Sequence, residues 1–233
     1  DPLWSRGLGD VYKRQPRTRC SADWSEQRSS VTARVSCSTS KPMPEFDDLR
    51  DEPFEPEVLR SDLAYEGAVW NVRDDRVRYG DGEIRRQYVA HTGAVAIALD
   101  DAGRVLLIQQ YRHPIRHRDW ELPAGLLDVA GEEPLEAARR ELAEEADLVA
   151  AHWEPLVSSW TTPGGNDELI HVFLASGVSA AQDAHAREDE EADIRVEWVP
   201  LDAAVGAVLD GRMRNGILGI GVLAAAQRLR DRS

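Results

Sequence analysis

The heptapeptide Arg139-Arg140-Glu141-Leu142-Ala143-Glu144-Glu145 constrains this chain more than any other segment, because it packs three carboxylates into five residues. Read as a helix, Glu141 and Glu144 are i and i+3, and Glu141 and Glu145 are i and i+4. Both spacings bring side chains together on one face. Like charges held that close repel unless a cation bridges them. Hard oxygen donors of this kind suit Mg²⁺, with Mn²⁺ as the alternative. The flanks support a helix over about 133–146. Pro134 suits a first helical turn, and Leu135, Ala138, Leu142 and Ala146 form an apolar stripe. On charge alone, the same triplet also reads as a solvated helix face.

Charge narrows the partners. Residues 1–42 hold eight Lys/Arg against four acids, so they carry +4. The whole chain carries −14, which leaves −18 on residues 43–233. So acidic a surface disfavours duplex nucleic acid and anionic membranes. A small phosphate-bearing substrate would need cations and local arginines. No run of 18 apolar residues exists, so no membrane span is expected. Both cysteines, Cys20 and Cys37, precede the expected core. That usage fits a reducing cytoplasm better than a disulfide scaffold.

Residues 1–42 are rich in Ser, Arg and Thr and show no sustained periodicity. They read as a disordered or non-native leader, with Met43 as the expected natural start. Residues 43–90 read as an extension, its later part alternating in strand fashion around turn signals at Asp74-Asp75 and Gly80-Asp81-Gly82. Residues 91–233 read as the main domain. Within it, residues 94–112 suggest two strands joined by the tight turn Asp100-Asp101-Ala102-Gly103. Strand patterns recur in 153–162, 168–176 and 193–201, and helical ones near 201–210 and 215–230, the latter with Asn215 as N-cap. The order points to an α/β fold, an α/β/α sandwich around a central mixed sheet, with a small N-terminal antiparallel strand unit.

Gly125, Glu132, Arg140, Glu141, Leu142, Glu144, Glu145 and Leu148 together resemble the Nudix box, the signature of the Nudix hydrolase family. Two departures stand out: six residues separate Gly125 from Glu132 where five is usual, and Asp147 replaces the usual glycine. Asp tolerates the left-handed backbone that a helix C-terminus needs.

The resemblance implies a metal held by Glu141, Glu144, Glu145 and the Ala124 carbonyl, with Glu145 also counted among the catalytic groups. Glu132 is expected to act structurally, through Arg140. In the ADP-ribose pyrophosphatase subgroup, a glutamate on a late loop handles the water. Glu191 aligns best with it and Glu190 second; by spacing alone both belong to a solvated acidic loop. Pro163, sixteen residues after Asp147 and followed by Gly164, resembles that subgroup's substrate loop and is otherwise an ordinary turn. Arg112 resembles the phosphate-contacting arginine. Trp70 and Arg85 are expected to reach the adenine end across a homodimer. Glu121 is expected to hold the terminal ribose or support the loop, and Glu168 to meet a ribose hydroxyl. The implied reaction is cleavage of ADP-ribose, or of another nucleoside diphosphate derivative.

Overall fold

The computed structural model describes residues 50–67, 69–90, 93–127, 129–182 and 193–232. Contacts divide the chain into Asp1–Pro53 and Phe54–Ser233, and every helix and strand named below lies in the second unit.

Three strands open that unit: β1 (Val58–Glu66), β2 (Asn71–Tyr79) and β3 (Gly82–Ala90), an antiparallel meander in the order β1-β2-β3. Only Gly80 and Asp81 separate β2 from β3, and Gly80 takes φ +59 to close so tight a turn. Asp74 ties the meander together. It accepts from Arg85 Nε at 2.7 Å and from Gln87 Nε2 at 2.9 Å. These bonds, that from Arg85 foremost, hold the Asp74 carboxyl down at about 2.

The remaining strands are β4 (Gly93–Ala98), β5 (Arg104–Arg112), β6 (His117–Glu121), β7 (Ala124–Leu126), β8 (Leu148–Trp160), β9 (Leu169–Ala180) and β10 (Arg195–Pro200). The helices are α1 (Pro134–Ala146), α2 (Leu201–Leu209) and α3 (Gly216–Arg230). One sheet runs β7-β4-β9-β8, with β4 parallel to β9. The other runs β10-β5-β6, all antiparallel.

The turn expected at Asp100–Gly103 exists. Asp100 Oδ1 accepts from the amides of Ala102 and Arg104, and Gly103 takes φ +72. Its two strands, however, do not form a hairpin. They share a single bridge, Leu99 to Val105, and then part into different sheets. The expected central sheet is therefore two sheets. Distant partners, β9 for β4 and β10 for β5, win over the local pairing.

β5 shows why the layers stack as they do. Val105, Leu106, Leu107 and Ile108 are all fully buried, the continuous apolar run of a strand covered on both faces. Val105 and Leu107 pack with Leu201, Ala204, Leu218 and Val222 of α2 and α3. Leu106 packs with Ala137, Ala138 and Leu142 of α1. Alternate side chains thus seal helices onto opposite sides, giving the α/β/α sandwich. Among the described residues, no helix is long and apolar enough to cross a membrane.

The Asp74 pairing yields a pH prediction. A carboxylate depressed from 3.8 to about 2 stabilises the fold fully above its unfolded value, and that stability is lost as pH falls toward 2. Asp74→Asn should flatten this acid limb of the thermal-melting profile. A variant whose melting temperature keeps the parent's slope between pH 4 and 2 contradicts the assignment.

Candidate active site

Helix α1 carries the carboxylates. Pro134 occupies its first turn, and Asp147 ends it in the left-handed conformation, φ +53 and ψ +38, donating its N–H to the Ala143 carbonyl at 3.0 Å. The same helical period that buries Ala138 and Leu142 also turns Glu141 and Glu145 inward. Their exposures are only 9% and 4%, whereas Glu144 is half-buried.

Two contacts dock this face on β7. Glu145 Oε2 accepts the Ala124 N–H at 2.9 Å. Glu141 lies flat against Gly125, so close that a Cβ there would stand 1.7 Å from Oε1. The motif glycine is thus needed for space.

Arg140 holds the charges together. Its Nη1 donates to Glu141 Oε1 at 2.6 Å and to Glu144 Oε2 at 3.0 Å, and its Nε and Nη2 reach Glu132 at 3.2 Å each. Its guanidinium is held protonated even more firmly than usual, first by Glu132 and then by the charge of Glu141. Among the described residues, no three His, Cys, Asp or Glu side chains form a ready-made metal cage. Mg²⁺ does not need one, since it binds through one or two carboxylates and keeps waters and substrate phosphates as its other ligands. Two buried glutamates beside a strand backbone suit that mode.

Ala124 and Gly125 also line a cleft of about 680 Å³. The structure brings Trp70, Arg112, Glu121, Ala124, Gly125 and Glu168 together along its walls. Trp70 arrives through a tight turn after β1, where Gly67 N donates to Trp70 O at 3.0 Å. A Cβ on Gly67 would stand 2.5 Å from that oxygen.

Arg112 and Glu121 were expected to hold different parts of a substrate. Here they hold each other, with Nε to Oε1 at 2.7 Å and Nη2 to Oε2 at 2.6 Å, while Gln110 donates to the same carboxylate at 3.3 Å. Pro163 and Gly164 do not line the cleft. Their loop is pinned to β3 by Val89 N to Gly165 O at 3.0 Å and Asp167 N to Val89 O at 3.2 Å, and it ends at Glu168, whose carboxylate accepts the Thr161 hydroxyl. Arg85 lies on the meander, paired with Asp74, and does not line this cleft. Glu190 and Glu191 lie outside the described residues.

Sequence reasoning missed Asp119 of β6, which lines the cleft, and it gave Asn215 only a capping role. Asn215 does cap α3, accepting from Leu218 N at 3.0 Å, and it also donates to Asp119 at 3.0 Å. His113 is another wall residue.

The Gly125 contact makes a prediction. In Gly125→Ala the new methyl displaces only the flexible end of Glu141, so melting should move little, whereas the carboxylate leaves its position. Hydrolytic turnover should fall about 10–100-fold. Full turnover in a folded Gly125→Ala protein contradicts this role.

Residues 89–217 match the NUDIX domain family. The ADP-ribose pyrophosphatase of Mycobacterium tuberculosis is 46% identical over 170 residues, covering 72% of this chain and 82% of that protein. The methanol dehydrogenase activator of Bacillus methanolicus is 33% identical over 162 residues, 69% of this chain and 86% of that one. A GDP-mannose pyrophosphatase of Pectobacterium atrosepticum is 31% identical over 141 residues, 58% and 72% of the two chains. The crystal structure of an ADP compounds hydrolase shares the fold at a TM-score of 0.64 and 17% identity, covering 79% of this chain and 99% of that one. With its carboxylate helix, glycine contact and arginine brace in place, this chain belongs to the NUDIX family.

Proposed function

We propose that this protein hydrolyses the pyrophosphate bond of ADP-ribose, giving AMP and ribose 5-phosphate, with Mg²⁺ as its cation and Mn²⁺ as a substitute. The observation that carries this reading is the pair of buried carboxylates, Glu141 and Glu145, held on Ala124 and Gly125, which themselves line a cleft with an indole, a guanidinium and hydroxyl-accepting acids. The similarity to the mycobacterial ADP-ribose pyrophosphatase supports the choice of substrate.

Glu141 and Glu145, with Glu144 and the Ala124 carbonyl, would hold the cation. When bound, such an ion neutralises phosphate oxygens and lowers the pKa of an attacking water. The remaining work falls to the chain itself. Arg112 exchanges Glu121 for a substrate phosphate, trading one bidentate oxyanion partner for another. Glu191, or Glu190 in second place, takes the proton of the water as its oxygen bonds to one phosphorus. The bridging P–O bond breaks, and its electron pair leaves on the other phosphate. Trp70 offers a stacking face to adenine; Pro163 stiffens the loop that presents Glu168, an acceptor for a ribose hydroxyl, and Gly164 lets that loop's backbone approach the ligand.

The meander is proposed as a dimerisation element. Its exposed Val58, Leu63 and Tyr65 are apolar side chains that a second copy would cover, and Arg85 would act from there across the interface. The reaction suits a cytoplasmic location, where its nucleotide substrate is found.

A second reading, hydrolysis of another nucleoside diphosphate derivative, is favoured by the relative named for GDP-mannose. Incubation with Mg²⁺ and a substrate panel separates the two. ADP-ribose should be consumed fastest, with AMP and ribose 5-phosphate as products. Equal or faster turnover of GDP-mannose or NADH would overturn the substrate assignment. Glu141→Gln should lower turnover by at least about 100-fold, since even the outer partners of a metal ligand are worth 10–100-fold. Parent-like activity in that variant would remove α1 from the chemistry.

A further inference from the structure

Three acids line the cleft: Asp119, Glu121 and Glu168. Their circumstances differ. Glu121 is committed to the Arg112 fork and to Gln110. Glu168 accepts the Thr161 hydroxyl. Asp119 accepts at Oδ2 from Asn215 Nδ2 at 3.0 Å, and among the described residues no hydrogen bond reaches its Oδ1.

Asn215 is itself immobilised. Its Oδ1 accepts the Leu218 N–H in the first turn of α3, at 3.0 Å. An amide anchored at one end by a helix presents its other end in a fixed direction. That NH₂ sets the orientation of a carboxylate 96 residues earlier in the chain. Asp119 also stands directly across from Gln110 on the β5–β6 ladder, with Arg112 diagonal to it. Residues so placed share one face of the ribbon, with diagonal neighbours about 7–8 Å apart. A phosphate on Arg112 therefore brings its attached sugar toward Asp119.

We propose that Asp119, aligned by Asn215, is a specificity residue that accepts a hydrogen bond from a ribose hydroxyl of the substrate. This rests on the reading of the cleft as a nucleoside diphosphate–sugar site. A carboxylate only accepts hydrogen bonds and repels phosphate. The hydroxyl-bearing sugar is the part of such a substrate that it selects. The role first expected of Glu121 thus passes to its neighbour two residues earlier, because Arg112 already occupies Glu121.

The test compares Asp119→Leu, Asn215→Asp and Asn215→Ser with the parent. Asp and Ser both cap helices, so melting temperatures of the Asn215 variants should stay near the parent's. Asn215→Asp replaces the donor by a like charge, and Asn215→Ser merely removes it. Asp119→Leu and Asn215→Asp should raise KM for ADP-ribose about tenfold or more, as for a lost hydrogen bond to a charged group. Their kcat should change far less, and Asn215→Ser should shift KM in the same direction by less. Inhibition by ribose 5-phosphate or by AMP should weaken in Asp119→Leu, while inhibition by inorganic pyrophosphate stays as in the parent. An unchanged KM in Asp119→Leu, or equal weakening of all three inhibitors, overturns the proposal. If the parent cleaves ADP-ribose and Asp119→Leu does so with parental KM, this inference fails and the proposed function stands. If the parent leaves ADP-ribose intact, the proposed function fails, and calorimetric binding of AMP, ribose 5-phosphate and inorganic pyrophosphate to the parent and to Asp119→Leu still decides the role of Asp119.

Discussion

The docking of α1 on β7 is the contact on which the site depends. Glu141 lies against Gly125 and Glu145 takes the Ala124 N–H. One short strand segment therefore fixes the two inward carboxylates and forms an edge of the cleft. Burying charge is costly, several kcal/mol per ion even after relaxation. Arg140 offsets that cost by bonding three glutamates from one guanidinium. It reaches across from Glu132, so the loop after Gly125 is tied to the helix it precedes, whatever its length.

The same economy governs the cleft wall. Antiparallel pairing of β5 with β6 sets Gln110, Arg112, Asp119 and Glu121 on one face. Three of the four, Gln110, Arg112 and Glu121, satisfy one another. Arg112 finds Glu121 because both project from that face and because a planar fork matches a carboxylate. Arg112 is thereby held at the cleft wall by a bidentate oxyanion partner, the kind of partner that the proposed phosphate contact would supply.

The helix and its carboxylates were legible in the sequence because their logic is local. A period of 3.6 links Ala138, Leu142, Glu141 and Glu145 without reference to any other segment, and the left-handed Asp147 follows from the same end-of-helix constraint. The layering was legible too, through the order of strands and helices. What failed was the hairpin at Asp100–Gly103. The turn chemistry was read correctly, yet pairing is decided by strands more than sixty residues away. The Arg112–Glu121 fork escaped for a related reason: family resemblance assigned each residue a ligand, whereas their shared face of the β5–β6 ribbon lets their side chains meet.

Asp119 and Asn215 were harder still. No periodicity connects residues 96 positions apart, and each has an ordinary local explanation, a strand polar residue and a helix cap. Only tertiary placement shows that one amide serves both elements. An N-cap has two functional ends, and capping uses only its oxygen. Where the helix begins at a cleft, the remaining NH₂ becomes a rigid donor facing that cleft. In this chain it meets a carboxylate, so the start of α3 contributes an oriented anion rather than the anion-attracting pole that a bare helix terminus would supply.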